Sequence, residues 1–361
     1  MAKTILEEKI EAHRKFWRGE GPSLILIPTS KMPQYDTEGY ADRFENPALM
    51  WEAEMRRARA ALGWPTDGIP TVRPNLGVIF IPAMVGQECT VQDGQMPWPG
   101  KPLSREAICA IPSADLESSK IMRLAREFYE VHRASGEAET AAYHPDTQGV
   151  FSLAHLLYGD QIFLDLREEP EWVHELLEIT LGLHGRVVRI LKSYLCESNH
   201  SFIHGHASPN GIYFPHAGVR ISEDTATMVS PRMMEEFILP YTERSIAPFG
   251  GCFVHYCGKH EFLFERLCLS SLVRAIDLGN PAMYDTRWLF QKCGETGTVL
   301  FSPVAAEEGE GWPHYLRRLA GLMKETGARL ILRPAVFPEG REECARMLDL
   351  WHELTASGTG A

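Results

Sequence analysis

The chain has no long hydrophobic run. A membrane span needs roughly 18 consecutive apolar residues. The longest apolar stretches here, residues 24–28 and 76–85, are too short or are interrupted by proline. The first 17 residues, MAKTILEEKIEAHRKFW, are charged and amphipathic with no signal-peptide core, so export is not expected. Positive charge is also short: 36 Lys and Arg stand against 48 Asp and Glu, a net charge of −12. That disfavours nucleic acid, whose binding is driven by phosphate neutralisation, and adhesion to an anionic membrane. The eight cysteines show no CxxC spacing and no disulfide-rich density, so a reduced cytoplasm is the expected compartment. Neither GxxxxGK[ST] nor GxGxxG follows a strand-like segment, which weakens nucleotide readings. No GxSxG elbow is present, which weakens a serine-hydrolase reading. Repeats, low-complexity tracts and flexible linkers are lacking too.

What is present is an alternation of strand and helix patterns. Helices are expected at 3–18, 47–62, 114–134, 148–158, 170–196, 230–247, 259–269, 281–293, 311–326 and 339–355. Strands are expected at 23–28, 76–82, 140–145, 201–206, 219–223, 251–256, 273–278, 298–302 and 328–333, with a long loop at 87–103. Such alternation favours parallel strands joined by crossover helices. The run is long enough for an α/β fold of the (β/α)8 TIM-barrel type with an N-terminal helical extension. The chain then reads as one unit over 1–361, with the extension at 1–45 and the barrel at 46–355. A doubly wound open sheet is the alternative.

The sharpest local signal is Gly250-Gly-Cys-Phe-Val-His-Tyr-Cys-Gly258. On a strand, Cys252, Val254 and Tyr256 share one face, while Phe253, His255 and Cys257 share the other. The second set would face the barrel interior and bring an imidazole and a thiol to its C-terminal rim, where barrel enzymes keep their sites. Such a pair suits zinc. The alternative is a core cysteine beside a hydrogen-bonded histidine. In Val219-Arg-Ile-Ser-Glu-Asp224, the inner face would carry Arg220, Ser222 and Asp224. Asp224 is then either a rim carboxylate or the cap of the turn 225–228. His204 and His206 share a face near another strand end, as ligands or as hydrogen-bonded rim residues. Asp277 shares a face with Val273 and Ala275, as a site carboxylate or in turn chemistry with Asn280 and Pro281. Cys293 precedes Gly294 at a helix end and is discounted as a ligand, and Cys252 and Cys268 should face helix packing. The segment Gln95-Met-Pro-Trp-Pro-Gly100 could form a lid or an interface, and Arg73-Pro-Asn-Leu-Gly77 could position an anionic group.

The order Val219–Asp224, then Ser230-Pro-Arg-Met-Met-Glu-Glu-Phe-Ile-Leu-Pro-Tyr241, then Gly250–Gly258 resembles the uroporphyrinogen decarboxylase superfamily. The His-x-Cys-Gly element is most similar to its cobalamin-dependent methyltransferase branch. Arg73–Gly77, Asp146-Thr-Gln-Gly149 and Asp277-Leu-Gly-Asn-Pro281 add to the resemblance, which spans about residues 45–335. It implies a (β/α)8 barrel in which zinc, held by His255 and Cys257 with a later Cys, activates a thiol such as coenzyme M. That thiol takes a methyl group from a corrinoid carried by a partner protein; some relatives are thought to use tetrahydrofolate instead. Asp224 joins His255 and Cys257 as catalytic on this view. Arg73, Asn75, Asp146, His204, His206 and Asp277 would contact substrate. A corrinoid protein is the expected partner, and a homodimer remains open.

The sequence departs from the family pattern in two places. The later Cys is absent from Leu332-Arg-Pro-Ala-Val336, so a third ligand must come from Asp224, His204, His206 or Asp277. The Arg-rich RQAGR-type motif of the decarboxylases is absent from residues 24–31. Methyl transfer therefore ranks ahead of decarboxylation by Asp224, Arg73, Arg220 and Arg333, and ahead of a non-catalytic corrinoid- or small-ligand-binding barrel.

Overall fold

The computed structural model describes residues 3–29, 38–206 and 208–356. Its strands, in chain order, are β1 (Leu24–Ile25), β2 (Ile69–Val72), β3 (Cys89–Thr90), β4 (Trp98–Pro99), β5 (Ala141–Ala142) and β6 (Phe202–His204). There follow β7 (Asn210–Phe214), β8 (Val219–Ser222), β9 (Cys252–Tyr256), β10 (Val273–Leu278), β11 (Val299–Ser302) and β12 (Arg329–Leu332). Six of them form a parallel sheet in the order β1-β12-β11-β10-β9-β8, with helices on its outer side. A second sheet runs β5-β2-β7-β6, in which β2 pairs in parallel with β5 and antiparallel with β7. The six-stranded sheet is a curled half-barrel. Strand pairing does not close an eight-stranded ring among the described residues. The seam beside β1 is spanned by the Asp67 N–H donating to the Ile25 carbonyl (3.0 Å), and that beside β8 by Gly149 N–H donating to Ser222 (2.8 Å). An antiparallel β6–β7 pair stands where a parallel unit was expected.

Alternation sorts the side chains into two apolar layers. Val219, Ile221, Cys252, Val254, Tyr256, Ile276 and Leu278 pack outward under the helices. Phe202, Phe214, Phe253, Ala275, Phe301 and Ile331 fill the space enclosed by both sheets. Part of the 1–45 segment belongs to this arrangement: β1 is an edge strand, and the helix Ile5–Arg18 inserts Phe16 beneath the inner layer. Its Trp17 donates to the Tyr213 carbonyl, and Arg329 lies over the Phe16 ring at 4.5 Å.

Several sequence expectations change. Residues 76–82 are not a strand: Gly77 turns at φ 65° and Phe80–Met84 is a short helix. The segment is buried except at half-buried Val78, and a short apolar run has no polar face to set a period. The loop at 87–103 contains the β3–β4 hairpin. The helix expected at 230–247 is two, Pro231–Phe237 and Leu239–Ile246, because Pro240 has no N–H to continue the first. The helix expected from 114 begins at Lys120, where Ser119 caps it. In β10 an irregularity between Val273 and Ala275 puts Val273 in the outer layer, so it does not share a face with Asp277. No described helix is long and apolar enough to cross a membrane.

Two buried histidines away from the strand C-terminal ends make the fold acid-sensitive. His13 is neutral, donating from Nε2 to the Asp67 carbonyl and accepting the Tyr213 N–H at Nδ1. His184 has no hydrogen-bond partner on either ring nitrogen among the described residues. Burial pushes both from 6.5 down to about 4. The unfolded chain therefore takes up these protons first. Their contribution is complete above pH 6.5 and is lost as pH falls toward 4, by about 3 kcal/mol per histidine. Urea unfolding at pH 7 and pH 4.5 should show this loss, and His13→Gln should reduce it.

Candidate functional site

The C-terminal ends of the parallel strands carry the site. β8 delivers Arg220, Ser222 and, just beyond it, Asp224; β9 delivers His255 and, one residue past its end, Cys257; β10 delivers Asp277. With His204, His206, Arg73 and Asp146, all but Asp277 line one cavity of about 250 Å³. Met96, Pro97 and Trp98 on the β3–β4 hairpin form its outer wall, and Trp98 is 63% exposed. Gly77 makes room for that wall, since a Cβ there would lie 2.7 Å from Pro97 Cγ.

The chemistry centres on the two sides of the His255 ring. On the Nδ1 side, Asp277 is fully buried and faces His255 Nδ1 at 3.0 Å and His206 Nδ1 at 3.3 Å. Its other oxygen accepts from Arg333 Nη2. Burial alone would raise the Asp277 carboxyl, but Arg333 and His255 outweigh it and hold it below the usual range. Asp277 is therefore not a turn cap; the turn is tied instead by Asn280 Oδ1, which accepts Gly258 N–H at 2.8 Å. Burial would lower the His255 pKa, but Asp277 and Cys257 push it up to about 9.

On the Nε2 side, His255 meets Cys257 Sγ at 3.5 Å and Asp224 Oδ1 at 3.6 Å. Asp224 does not cap the turn 225–228. It accepts the Cys257 N–H at Oδ1 and the Ser222 hydroxyl at Oδ2 (2.9 Å). These three donor atoms lie within 4.8 Å of one another. A zinc-bound nitrogen and sulfur at tetrahedral angles, about 2.1 and 2.3 Å from the ion, stand about 3.5 Å apart. The observed edge fits that value. The Nδ1–carboxylate contact is the usual support of a metal-bound histidine. His206, His255 and Asp277 form a second candidate triad, but guanidinium groups from Arg220 and Arg333 already contact it. Like charge beside a metal disfavours that side.

The remaining expected residues separate by role. Asp146 accepts from Arg220 Nη1 at 2.8 Å; burial would raise it, but Arg220 and Arg73 keep it low. His204 and His206 are held neutral by burial and by nearby cations, His255 and Arg220 among them. His206 lies beyond the strand at φ 43°, so the two histidines are not successive inner positions of one strand. Asn75 does not line the cavity; its Oδ1 accepts from Arg73 Nη2 at 3.0 Å and steadies that guanidinium. Cys293 and Cys268 are buried in the helix layer. Sequence reasoning missed Gly279, where a Cβ would stand 2.5 Å from Cys257 Sγ. Only its position in a Leu-Gly-Asn-Pro turn after a strand hinted at this.

No protein-family model matches the chain, and no curated protein does. A methyltransferase from Methanosarcina mazei shares its fold. The two superpose with a TM-score of 0.65 over 97% of this chain and 99% of that one, at 13% identity.

If the Nε2-side cluster binds an ion, Gly279→Ala should weaken zinc uptake by about ten-fold or more by displacing one ligand. Cys257→Ala should abolish uptake, and both variants should keep the wild-type unfolding midpoint. Competition with a chromophoric chelator measures the first effect and circular dichroism the second.

Proposed function

We propose that the protein is a methyltransferase working at this rim. It moves a methyl group between a methylcorrinoid, carried by a corrinoid protein, and a thiol or tetrahydrofolate. The observation that carries this reading is the convergence of His255 Nε2, Cys257 Sγ and Asp224 Oδ1, backed at Nδ1 by Asp277. The shared fold with a chain named as a methyltransferase adds to it.

The donor set is the one expected for zinc, with Asp224 taking the place of the absent later Cys. Zinc there would supply a Lewis acid that makes a bound thiol a thiolate at neutral pH. The chain's own residues do the positioning. Asp277 fixes the His255 ring so that Nε2 faces the cavity. Ser222 and the Cys257 N–H orient the Asp224 carboxylate. Gly279 leaves the volume that Cys257 Sγ occupies. Trp98, Met96 and Pro97 offer an apolar wall to an incoming flat or apolar group. A carboxylate in place of a second thiolate makes the set harder, so zinc is held less tightly and is more Lewis acidic.

Decarboxylation of a tetrapyrrole suits this site less well. One of the arginines it would need, Arg220, is engaged by the Asp146 carboxylate at 2.8 Å.

Zinc-loaded protein given methylcob(III)alamin and either a thiol or tetrahydrofolate should produce the cob(I)alamin spectrum, and Cys257→Ala should not. Binding without turnover across a broad acceptor panel would instead mark a corrinoid-binding protein. Product chromatography showing decarboxylated uroporphyrinogen would replace the reading with the lyase.

A further inference from the structure

A second cavity, of about 290 Å³, opens on the far side of His206. His206 lines both cavities and so forms part of the partition between them. The walls of the second are largely apolar, from Leu26, Pro28, Phe301, Pro303 and Pro334. These residues follow β1, end β11 or follow β12, so this chamber sits at the same end of the sheet as the first.

Two guanidinium groups line it, and one of them, Arg57, is already paired with Glu54 at 3.0 Å. Arg333 lies with its guanidinium carbon 4.6 Å from the centre of the Phe301 ring, which fixes the plane of the group. Its Nη2 donates to Asp277, but that carboxylate also faces His255 and His206. The positive charge of Arg333 is thus only partly matched. Its Nε–H is buried and has no hydrogen-bond partner among the described residues. The Arg333 side chain as a whole keeps 24% of its surface exposed, so the group can be reached from the chamber. Apolar walls around a few polar groups are the usual composition of a small-molecule site. The chamber's size fits a body of a few carbons rather than a cofactor.

We propose that this second chamber is a binding site for a small aliphatic carboxylate, its anionic end held by Arg333 and its carbon chain lying against Phe301, Leu26 and the prolines. A carboxylate oxygen accepting from the guanidinium makes a charge-assisted bond, and arginine's planar fork suits that partner. The inference stands apart from the methyl-transfer reading, because it needs neither zinc nor corrinoid.

Isothermal titration of the full-length protein with butyrate and glutarate, against butyramide, tests it. Saturable binding of at least one carboxylate and none of butyramide is expected. Arg333→Gln should weaken that binding by about ten-fold or more. Because Arg333→Gln also strips a partner from buried Asp277, Ser208→Phe provides a second test. It fills the chamber from its wall and should abolish binding with Arg333 intact. Arg73→Gln alters only the first cavity and should leave the affinity unchanged. The proposal is overturned if neither carboxylate saturates, if butyramide binds equally, or if Ser208→Phe binds as wild type does. Loss of binding on Arg73→Gln would overturn it too, by placing the ligand in the first cavity.

Discussion

The buried carboxylate of Asp277 is the interaction on which the site depends. Removing a carboxylate from water costs several kcal/mol unless cations and hydrogen bonds replace the solvent. Here the replacement comes from neighbours on three elements: His255 on β9, Arg333 just past β12, and His206 beyond β6. The contact with His255 is written into the sheet register, since Asp277 and His255 are direct partners across β10 and β9. A slip of one residue would turn Asp277 into the apolar helix layer and leave His255 and Arg333 without their shared carboxylate. The charge cluster therefore opposes misregistration more strongly than it adds net stability.

The two sides of His255 are made chemically different by this arrangement. The Nδ1 side is crowded with positive groups around a single carboxylate. The Nε2 side carries a thiol and a carboxylate and, among the described residues, no guanidinium in direct contact. A dication is thus favoured on one side and an anion on the other, with one ring between them. Glu223, beside Asp224 in sequence, serves the scaffold instead: its Oε2 accepts the Ser152 N–H at the start of the helix Val150–Tyr158. Gly149 is needed there, because a Cβ would fall 2.1 Å from Glu223 Oε1.

Period-two alternation made much of this site legible in the sequence. It placed Arg220, Ser222 and Asp224 on one face, and Phe253, His255 and Cys257 on another, and the layers of the structure agree. It worked on β8 and β9 because each strand has one face on the helices and one on the interior. It failed where geometry departs from the repeat. The irregularity in β10 moved Val273, and the left-handed residue His206 broke the expected pairing with His204. The helix at 80–84 was invisible because every side of it except Ala83 is buried. Long-range proximity was also beyond reach. Nothing local in Leu278-Gly279-Asn280 says that the glycine abuts a sulfur 22 residues earlier, and only the parallel β9–β10 pairing brings them together. The choice of Asp224 over His204, His206 or Asp277 as the companion of His255 and Cys257 likewise follows from which ring nitrogen each one faces.

Net charge is a poor guide to what such a site accepts. The protein as a whole carries −12, which argues against polyanionic partners at long range. At the rim, Arg73, Arg220, Arg333 and His255 stand among Asp146, Asp224 and Asp277, so the local balance is near neutral to positive. Beyond a Debye length of about 8 Å the solvent screens the acidic outer surface, whereas the buried groups see one another almost unscreened. A single carboxylate can therefore be bound inside an acidic protein, whereas a polyanion such as uroporphyrinogen is disfavoured: each further charge must be met by a cation that the rim has already paired. The pairing of Arg220 with Asp146 and of Arg333 with Asp277 thus limits the anionic charge a ligand can bring, and does so more strictly than cavity volume alone.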